Sequence, residues 1–268
     1  MKTFENFLKY DYSMYEETLD DDLTSAIIDN NINFITDYLD NYDVNRLINE
    51  QFPIICLVDF NASLKIYKLF IDKGVNIDAQ SDDDYKTALM ILAESSHHKT
   101  DYYYSVIKLL LDNGANINST TKSEDNALLL SIENIRETNK IQKLLIEYNI
   151  DINQQNIYLD TVLNSEVYNS QTQSTHDIHK ELILILLNQK NIDLSIKDSN
   201  DNDFFGNLIL IINNLETKSK SKQIWKNRLN KVLTLVDNIK KDYPKIYDKY
   251  IEETIKFKKK QKSKKFNL

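Results

Sequence analysis

The stretch VIKLLLDNGANIN at residues 106–118 decides the fold, because it returns along the chain. IYKLFIDKGVNID at 66–78 and IQKLLIEYNIDIN at 141–153 repeat it closely, and residues 34–45 and 182–195 repeat it more loosely. Successive copies are 33, 40, 35 and 42 residues apart, measured at one shared position that is occupied by Val44, Ile77, Ile117, Ile152 and Leu194. These spacings indicate a unit of 33 residues that carries two insertions.

Each unit predicts a helix, a turn, a second helix and an extended connector. In the third unit, TALMILA at 87–93 predicts a short helix, and apolar residues at helical spacing over 106–110 predict the next. Gly114 stands where the second helix must end in a left-handed conformation, and Asn149 and Asn191 take the equivalent place. Because so short a helix pair cannot bury both of its faces, we expect the pairs to stack in a row.

These strings resemble the ankyrin repeat, in which a T-P-L-H motif opens a short helix and a G-A-D-V-N motif follows the second. Thr87-Ala88-Leu89 and LLLDNGANIN at 109–118 carry the match, and the resemblance covers about residues 19–213. It implies an all-α fold, an ankyrin-type helical repeat solenoid with helical caps at both ends. Proteins with ankyrin repeats bind other proteins, so the resemblance also implies a protein-binding function.

Two consensus positions of the repeat are substituted throughout the chain. The glycine at the tip of each finger, the turn that leads into the next repeat, is replaced by Gln51, Asp84, Glu124, Leu159 and Asp201. The histidine that joins the first helix to the finger is replaced by Cys56, Met90, Leu129, Asn164 and Gly206. We therefore expect an intact helix stack with altered hairpin fingers.

The pattern predicts three regions along the chain. Residues 1–18 predict an N-terminal capping helix, 19–239 a repeat domain of five to six degenerate repeats, and 240–268 a C-terminal helix with a basic tail. Residues 204–214 and 224–238 predict the last helix pair of the repeat domain.

Charge is distributed unevenly along this chain, whose net charge is −8. The net charge is −10 over residues 1–60, −9 over 61–213 and +11 over 214–268. Residues 256–265 contain seven lysines, and we expect them to be frayed or disordered. The sequence thus describes an acidic body that ends in a basic tail.

Glycine is too scarce for a nucleotide-binding loop. Gly74, Gly114 and Gly206 lie tens of residues apart, whereas loops that cradle phosphate need glycines roughly one to five residues apart. No cofactor is therefore expected. Since the sequence also indicates no converging set of polar side chains, we expect a protein that is not an enzyme.

The sequence predicts a cytoplasmic protein without a transmembrane helix. The longest aliphatic run, Leu182–Leu187, has six residues against the roughly 20 that span a bilayer. Glu5 interrupts the start before the apolar core of a secretory signal can form. Cys56, the only cysteine, cannot close an intramolecular disulfide, and its apolar neighbours predict that it is buried.

Several polar clusters resemble metal sites, but their spacing favours other roles. His176 and His179 lack the HExxH pattern and a third ligand, so a polar loop is expected, as it is for His97–His98. DSNDND at 198–203 lacks the glycine and glutamate of a calcium loop and predicts an Asx-rich turn. Asp20–Asp22 predicts the start of a helix.

Two insertions, 94–104 and 166–179, lengthen the turn between first and second helices, and both predict loops. Loops of this length are either functional or merely tolerated, and the sequence leaves both readings open.

By the resemblance, partner-binding residues lie in the fingers and directly after the first helices. In the third, fourth and fifth repeats these positions are Asp82, Asp83, Lys86, Glu94, Ser95, Lys122, Ser123, Asp125, Glu133, Asn134, Ile157, Tyr158 and Asp160. Their acidic character predicts an acidic concave surface that attracts a basic protein and disfavours nucleic acid. No small-molecule substrate is expected.

The identity of the partner is left open. One version of the hypothesis is an inhibitor or immunity-type protein that neutralises a basic toxin, and another is an effector that binds host proteins. The alternative is a nucleic-acid- or membrane-associated protein tethered by the lysine-rich tail, residues 256–265. The oligomeric state is also left open.

Overall fold

The computed structural model describes residues 18–95, 100–132, 138–170, 176–219 and 223–266. These residues form helices and turns, and they contain no β-strand. The helices are α1 (18–28), α2 (Ile32–Asn41), α3 (Pro53–Asp59), α4 (Leu64–Asp72), α5 (Ala88–Glu94), α6 (Thr100–Asp112), α7 (Ala127–Ile132), α8 (Lys140–Glu147), α9 (Val162–Asn169), α10 (His176–Leu187), α11 (Phe204–Ser219), α12 (Gln223–Asp242) and α13 (Pro244–Phe266). The predicted all-α repeat fold, in which short helices come in successive pairs, is confirmed.

The chain divides into two compact units, Met1–Lys122 and Ser123–Leu268. In the first unit, α3 packs on α5 and on its own partner α4, while α4 packs on α2 and α6. Ile66, Tyr67 and Phe70 of α4 are fully buried in this core. In the second unit, α9 packs on α7, α10 and α11, and α11 packs on both α12 and α13. Helices α3, α5, α7, α9 and α11 thus each pack on at least two other helices, as stacking requires.

The repeated Asp/Asn motif of the connectors has a structural cause, since each connector is closed by an Asx turn. The side chain of the first residue accepts a hydrogen bond of 2.9–3.3 Å from the backbone N–H two positions on, and it does so at Asp43, Asn76, Asn116, Asp151 and Asp193. The same motif joins repeats. Asn45 accepts from the N–H of Asn76 at 2.6 Å and donates to the carbonyl of Gly74 at 3.2 Å.

The first helices begin at side chains that cap them. The side chain of the residue before each helix accepts a hydrogen bond from a backbone N–H in the first turn. The pairs of acceptor and donor residues are Thr87 with Met90, Asn126 with Leu128 and Leu129, Thr161 with Asn164, and Asp203 with Gly206. Helices α3 and α13 begin instead at prolines, Pro53 and Pro244, in the first turn, where the missing N–H has no helical acceptor.

The predicted left-handed helix ends are confirmed at three positions and wrong at one. Gly74, Gly114 and Asn149 have φ angles of 84°, 87° and 62°. Asn191 has no positive φ, because α10 already ends at Leu187 and the following connector is two residues longer than those after α4, α6 and α8.

The finger tips keep a left-handed residue although they lack glycine. Glu124, Leu159 and Asp201 have φ angles of 61–63°, at the expected tip positions. In the two earlier fingers the left-handed residues are Asn49 and Glu50 in one and Tyr85 in the other, so neither expected position, Gln51 or Asp84, is left-handed. The fingers are turns that contain isolated β-bridges at most, so their predicted alteration is confirmed.

The insertions are more helical than expected. Helix α6 begins at Thr100, so Tyr102, Tyr103 and Tyr104 are helical, and the hydroxyl of Tyr102 donates to the carbonyl of Ala62 at 2.7 Å. The polar loop expected around His179 is likewise wrong, because α10 begins at His176 and packs against α9. His97–His98 lies outside the described residues.

The ends of the chain also differ from expectation. Helix α13 continues through the lysine-rich residues to Phe266, so the prediction of a frayed tail is wrong. Lysine and glutamine have good helix propensity, and neither glycine nor proline interrupts the segment after Pro244. The helix pair expected over 204–214 and 224–238 is confirmed as α11 and α12. The capping helix expected over 1–18 lies, except for residue 18, outside the described part.

Candidate functional site

The expected partner-binding residues lie in both compact units. Asp82, Asp83, Lys86, Glu94, Ser95 and Lys122 belong to the first unit, and Ser123, Asp125, Ile157, Tyr158 and Asp160 belong to the second. Glu133 and Asn134 lie outside the described residues. Two fingers carry six of these thirteen positions, and we call residues 81–86 the acidic finger and residues 156–160 the apolar finger.

The backbone of the acidic finger is held by a short turn. The N–H of Ser81 donates to the carbonyl of Lys86 at 2.9 Å, and the Ser81 hydroxyl accepts from the N–H of Lys86 at 3.1 Å. This turn leaves Asp82 and Asp83 exposed at the tip. Both aspartates line a cavity of about 270 Å³ together with the preceding finger, which contributes Glu50. Three carboxylates therefore border one open depression in the first unit.

Lys86 is engaged within the protein. Its ammonium group lies 2.9 and 3.1 Å from the two carboxylate oxygens of Glu94 and 3.4 Å from a carboxylate oxygen of Asp84. Burial lowers the pKa of Lys86, but these carboxylates outweigh it and hold the pKa above its ordinary value. The negative charge of Glu94 is therefore partly neutralised by Lys86, whereas Asp82 and Asp83 are exposed to solvent.

Lys122 is tied to the acidic finger that precedes it. Its backbone N–H donates to the carbonyl of Asp84 at 3.1 Å, and its ammonium group donates to the carbonyl of Asp82 at 3.0 Å. The same ammonium group lies 4.6 Å from the centre of the Tyr85 ring. Lys122 thus stabilises the conformation of the acidic finger, a role that sequence alignment did not indicate.

The apolar finger is fixed by a denser set of hydrogen bonds. The side chain of Asn156 accepts from the N–H groups of Tyr158 and Asp160 at 3.0 and 3.1 Å. The N–H of Ile157 donates to the carbonyl of Ser123 at 3.0 Å. The amide group of Gln155 donates to the carbonyl of Leu159 at 2.7 Å. These bonds hold the backbone of the finger in one conformation.

Three consecutive apolar side chains nevertheless remain exposed at the tip of this finger. Ile157, Tyr158 and Leu159 have exposed fractions of 51%, 63% and 47%. Leu159 is also the residue in the left-handed conformation. The register of the repeat predicts Ile157 and Tyr158 as binding residues but not Leu159, although a large side chain at a glycine position is itself a signal.

Acidic residues surround the base of the apolar finger. Burial, together with the nearby carboxylates of Asp198 and Asp125, raises the pKa of Asp160 above its ordinary value. Burial and the charges of Asp198 and Asp160 likewise raise the pKa of the half-exposed Tyr168. The exposed apolar side chains of this finger are therefore next to a cluster of acidic residues.

The second unit contains a buried pair that the sequence did not reveal. Glu166 of α9 and His179 of α10 are 0% and 5% exposed, and Nδ1 of His179 lies 3.0 and 3.1 Å from the two carboxylate oxygens. Burial raises the pKa of Glu166, while hydrogen bonds from His179 and Asn169 oppose that rise. The pair joins two helices inside the core and has no access to a substrate.

The remaining polar clusters are structural as well. Asp198 accepts from the N–H groups of Asn200 and Asn202, so the expected Asx-rich turn is confirmed. Asp20 is buried, pairs with Arg46 and accepts from the N–H of Asn49. No group of three or more His, Cys, Asp or Glu side chains converges as a metal site within the described ranges.

Cys56 is buried as expected. Burial is the main reason that its pKa rises to about 12. The thiol is therefore protonated at neutral pH and is a packing group rather than a nucleophile.

Comparison with known proteins identifies one family. Residues 54–156 match the family model described as ankyrin repeats, in three copies. No curated protein matches the chain significantly. Among the described residues, no helix has both the length and the apolar character needed to cross a membrane.

Proposed function

Because residues 54–156 are ankyrin repeats, which are protein–protein interaction modules and generally not catalytic, we propose that this chain binds a basic protein through its fingers. The observation that carries the proposal is the exposure of Asp82 and Asp83 on a finger whose backbone is fixed by hydrogen bonds. A fixed backbone lowers the entropy lost on binding. Two exposed carboxylates at its tip attract a positively charged surface.

The two fingers supply different contributions to binding. The acidic finger steers a basic partner by charge, which raises the association rate more than the affinity. The apolar finger offers Tyr158 and two aliphatic neighbours, and tyrosine is among the residues that contribute most to affinity when a partner buries them.

Two biological settings fit such a partner. An inhibitor or immunity-type protein would cover the basic active surface of a toxin or enzyme in the cytoplasm. An effector would use the same fingers on host proteins. In either setting the function is binding, and the fingers carry it.

The experiment compares two pairs of charge reversals in the full chain. Binding of the co-purifying partner is measured by calorimetry for Asp82→Lys/Asp83→Lys and for a control, Asp37→Lys/Asp72→Lys. The control changes net charge equally at exposed positions of α2 and α4. Glu94 is left unchanged, because its pairing with Lys86 would confound the result.

We expect the finger variant to lose about tenfold in affinity and the control to lose much less, with both differences shrinking as salt rises. Equal losses in the two variants would show that only net charge matters. Unchanged binding by the finger variant would remove the acidic finger from the interface.

A further inference from the structure

The cavity between the acidic finger and the finger that precedes it combines acidic, apolar and neutral polar side chains. We call it the inter-finger cavity. Glu50, Asp82 and Asp83 are its acidic residues, and all three are exposed. Phe52 and Ile55 are its apolar residues, and the neutral polar ones are Asn49, Gln51 and Ser81. None of these lining residues, all of which the structure describes, is basic.

Hydrogen bonds within each finger fix the two walls of the inter-finger cavity. In the preceding finger, two backbone hydrogen bonds of 2.9 and 3.0 Å join Ile48 and Gln51. In the acidic finger, the N–H of Tyr85 donates to the carbonyl of Ser81 at 3.1 Å, in addition to the bonds described above. Because both walls are held in place, a ligand that enters the cavity loses little free energy to ordering the protein.

The basic side chains around the two fingers are bonded to groups outside the cavity lining or to backbone carbonyls. The pairs are Arg46 with Asp20, Lys86 with Glu94, and Lys122 with the carbonyls of Asp82 and Asp83. These cations weaken the negative potential of the first unit, but none of them lines the inter-finger cavity. The carboxylates of the cavity therefore still attract a positively charged group.

The spacing of these carboxylates favours an organic cation over a metal ion. Over residues 18–95, which the structure describes without a gap, no three His, Cys, Asp or Glu side chains converge as a metal site. A guanidinium group is larger than a metal ion, and its five N–H donors can reach separate acceptors. The cavity volume of about 270 Å³ lies just below the roughly 300–1,000 Å³ of small-molecule sites, so it suits a single side chain.

The apolar part of the lining favours arginine over lysine. Phe52 is partly exposed at the cavity, and a guanidinium group stacks on aromatic rings and is more weakly hydrated than an ammonium group. The aliphatic stem of an arginine can pack against Phe52 and Ile55 while its charge faces the carboxylates. Arginine is also enriched at protein interfaces, whereas lysine is depleted.

We propose that the inter-finger cavity receives one arginine side chain of the protein partner. Its guanidinium group lies between Glu50 and the aspartates of the acidic finger, and its stem packs against Phe52. This assignment rests on the protein-binding function proposed above and names the side chain that the first unit recognises. Glu50, which the register of the repeat does not predict as a binding residue, becomes a contact residue.

Nuclear magnetic resonance of the full chain tests this assignment in the absence of the partner. The probes are N-acetyl-arginine amide, N-acetyl-lysine amide and N-acetyl-citrulline amide, which has the shape of the arginine compound but no charge. All titrations are made at one ionic strength. The cavity variant is Glu50→Gln/Asp82→Asn. The matched control, Asp37→Asn/Asp72→Asn, removes two exposed carboxylates from α2 and α4.

We expect the arginine compound to shift the amide signals of residues 49–51 and 81–83. The lysine compound should bind about threefold more weakly and the citrulline compound about tenfold more weakly. The cavity variant should bind the arginine compound about fivefold more weakly than the wild type, and the control should lose less than about twofold.

The assignment is overturned by absence of these shifts, by a lysine or citrulline compound that binds as tightly as the arginine compound, or by equal affinities of the cavity variant and the control. Any of these results, found together with the expected tenfold loss of partner affinity in Asp82→Lys/Asp83→Lys, would remove arginine from the cavity and leave the proposed function standing.

Discussion

At the scale of single residues, the protein retains conformations that its side chains disfavour. Leu159, Glu124 and Asp201 take the left-handed conformation in which the repeat consensus has glycine. A side chain with a Cβ atom is less stable there by about 1–2 kcal/mol. At Leu159 the exposed side chain adds no core packing that offsets this. An exposed side chain held in this conformation is a candidate for contact with a partner.

Replacing Leu159 separates stability from binding. Leu159→Gly removes the steric conflict and should raise the free energy of unfolding by about 0.5–1 kcal/mol, net of the greater freedom of glycine in the unfolded chain. Leu159→Ala keeps the Cβ atom and serves as the control that gains nothing. Urea denaturation measures both, and equal stabilities for the two variants would contradict the strain at this position.

The buried carboxyl of Glu166 predicts a particular dependence on pH. Its pKa is raised above the ordinary value of 4.5 by burial, so the folded state holds the proton more tightly than the unfolded state does. The contribution of Glu166 to stability is then fully present below pH 4.5 and is lost as pH rises through its folded pKa.

Comparison with Glu166→Gln reports on this buried pair, because glutamine does not titrate and the groups remote from residues 166 and 179 cancel. The stability of the wild type relative to the variant, measured by urea denaturation, should fall as pH rises from about 4 to 7. If the stability of the wild type relative to the variant increased over that range, the ion pair with His179 would outweigh the effect of burial.

At the scale of structural elements, connectors determine how one repeat is joined to the next. Asn45 bonds to both Gly74 and Asn76 of the following repeat, and Asn153 bonds in the same way to Asn191 and Asp193. Asp78 accepts from the N–H of Asn116. These bonds are polar and exposed, so they contribute less to stability than the apolar contacts but fix the register between neighbours.

Removing one such side chain should destabilise the first unit measurably. Asn45→Ala loses two hydrogen bonds between repeats and should lower the free energy of unfolding by about 1–2 kcal/mol. Asn41→Ala loses only a bond to Asp37 within α2 and should cost less than about 0.5 kcal/mol. Thermal unfolding of both variants is the measurement. A similar loss in the two would mean that the connectors do not couple the repeats.

At the scale of the whole molecule, the repeat period predicted the structural features that depend on local sequence pattern. The helix pairs and the turns at Gly74 and Gly114 follow from residue types at fixed spacing. What the sequence could not predict depends on packing between distant segments. The Glu166–His179 pair joins two helices across an insertion that reads as a polar loop.

The candidate site shows the same division. Alignment with the repeat found the exposed Asp82, Asp83 and Tyr158, because the fingers recur at the repeat period. It did not find that Lys122 lies on the neighbouring finger or that Glu94 is paired with Lys86, since both contacts depend on the turn geometry.

Binding through the fingers is tested most directly by hydrogen exchange of the full chain with and without its partner. Both fingers are surface turns, so their amides, although hydrogen-bonded, should exchange faster in the free protein than the amides of the buried helices. Binding of the partner should slow exchange at residues 81–86 and 156–160 and leave the exchange rates of α2 and α4 unchanged. Slowed exchange confined to α12 and α13, with both fingers unaffected, would contradict the account.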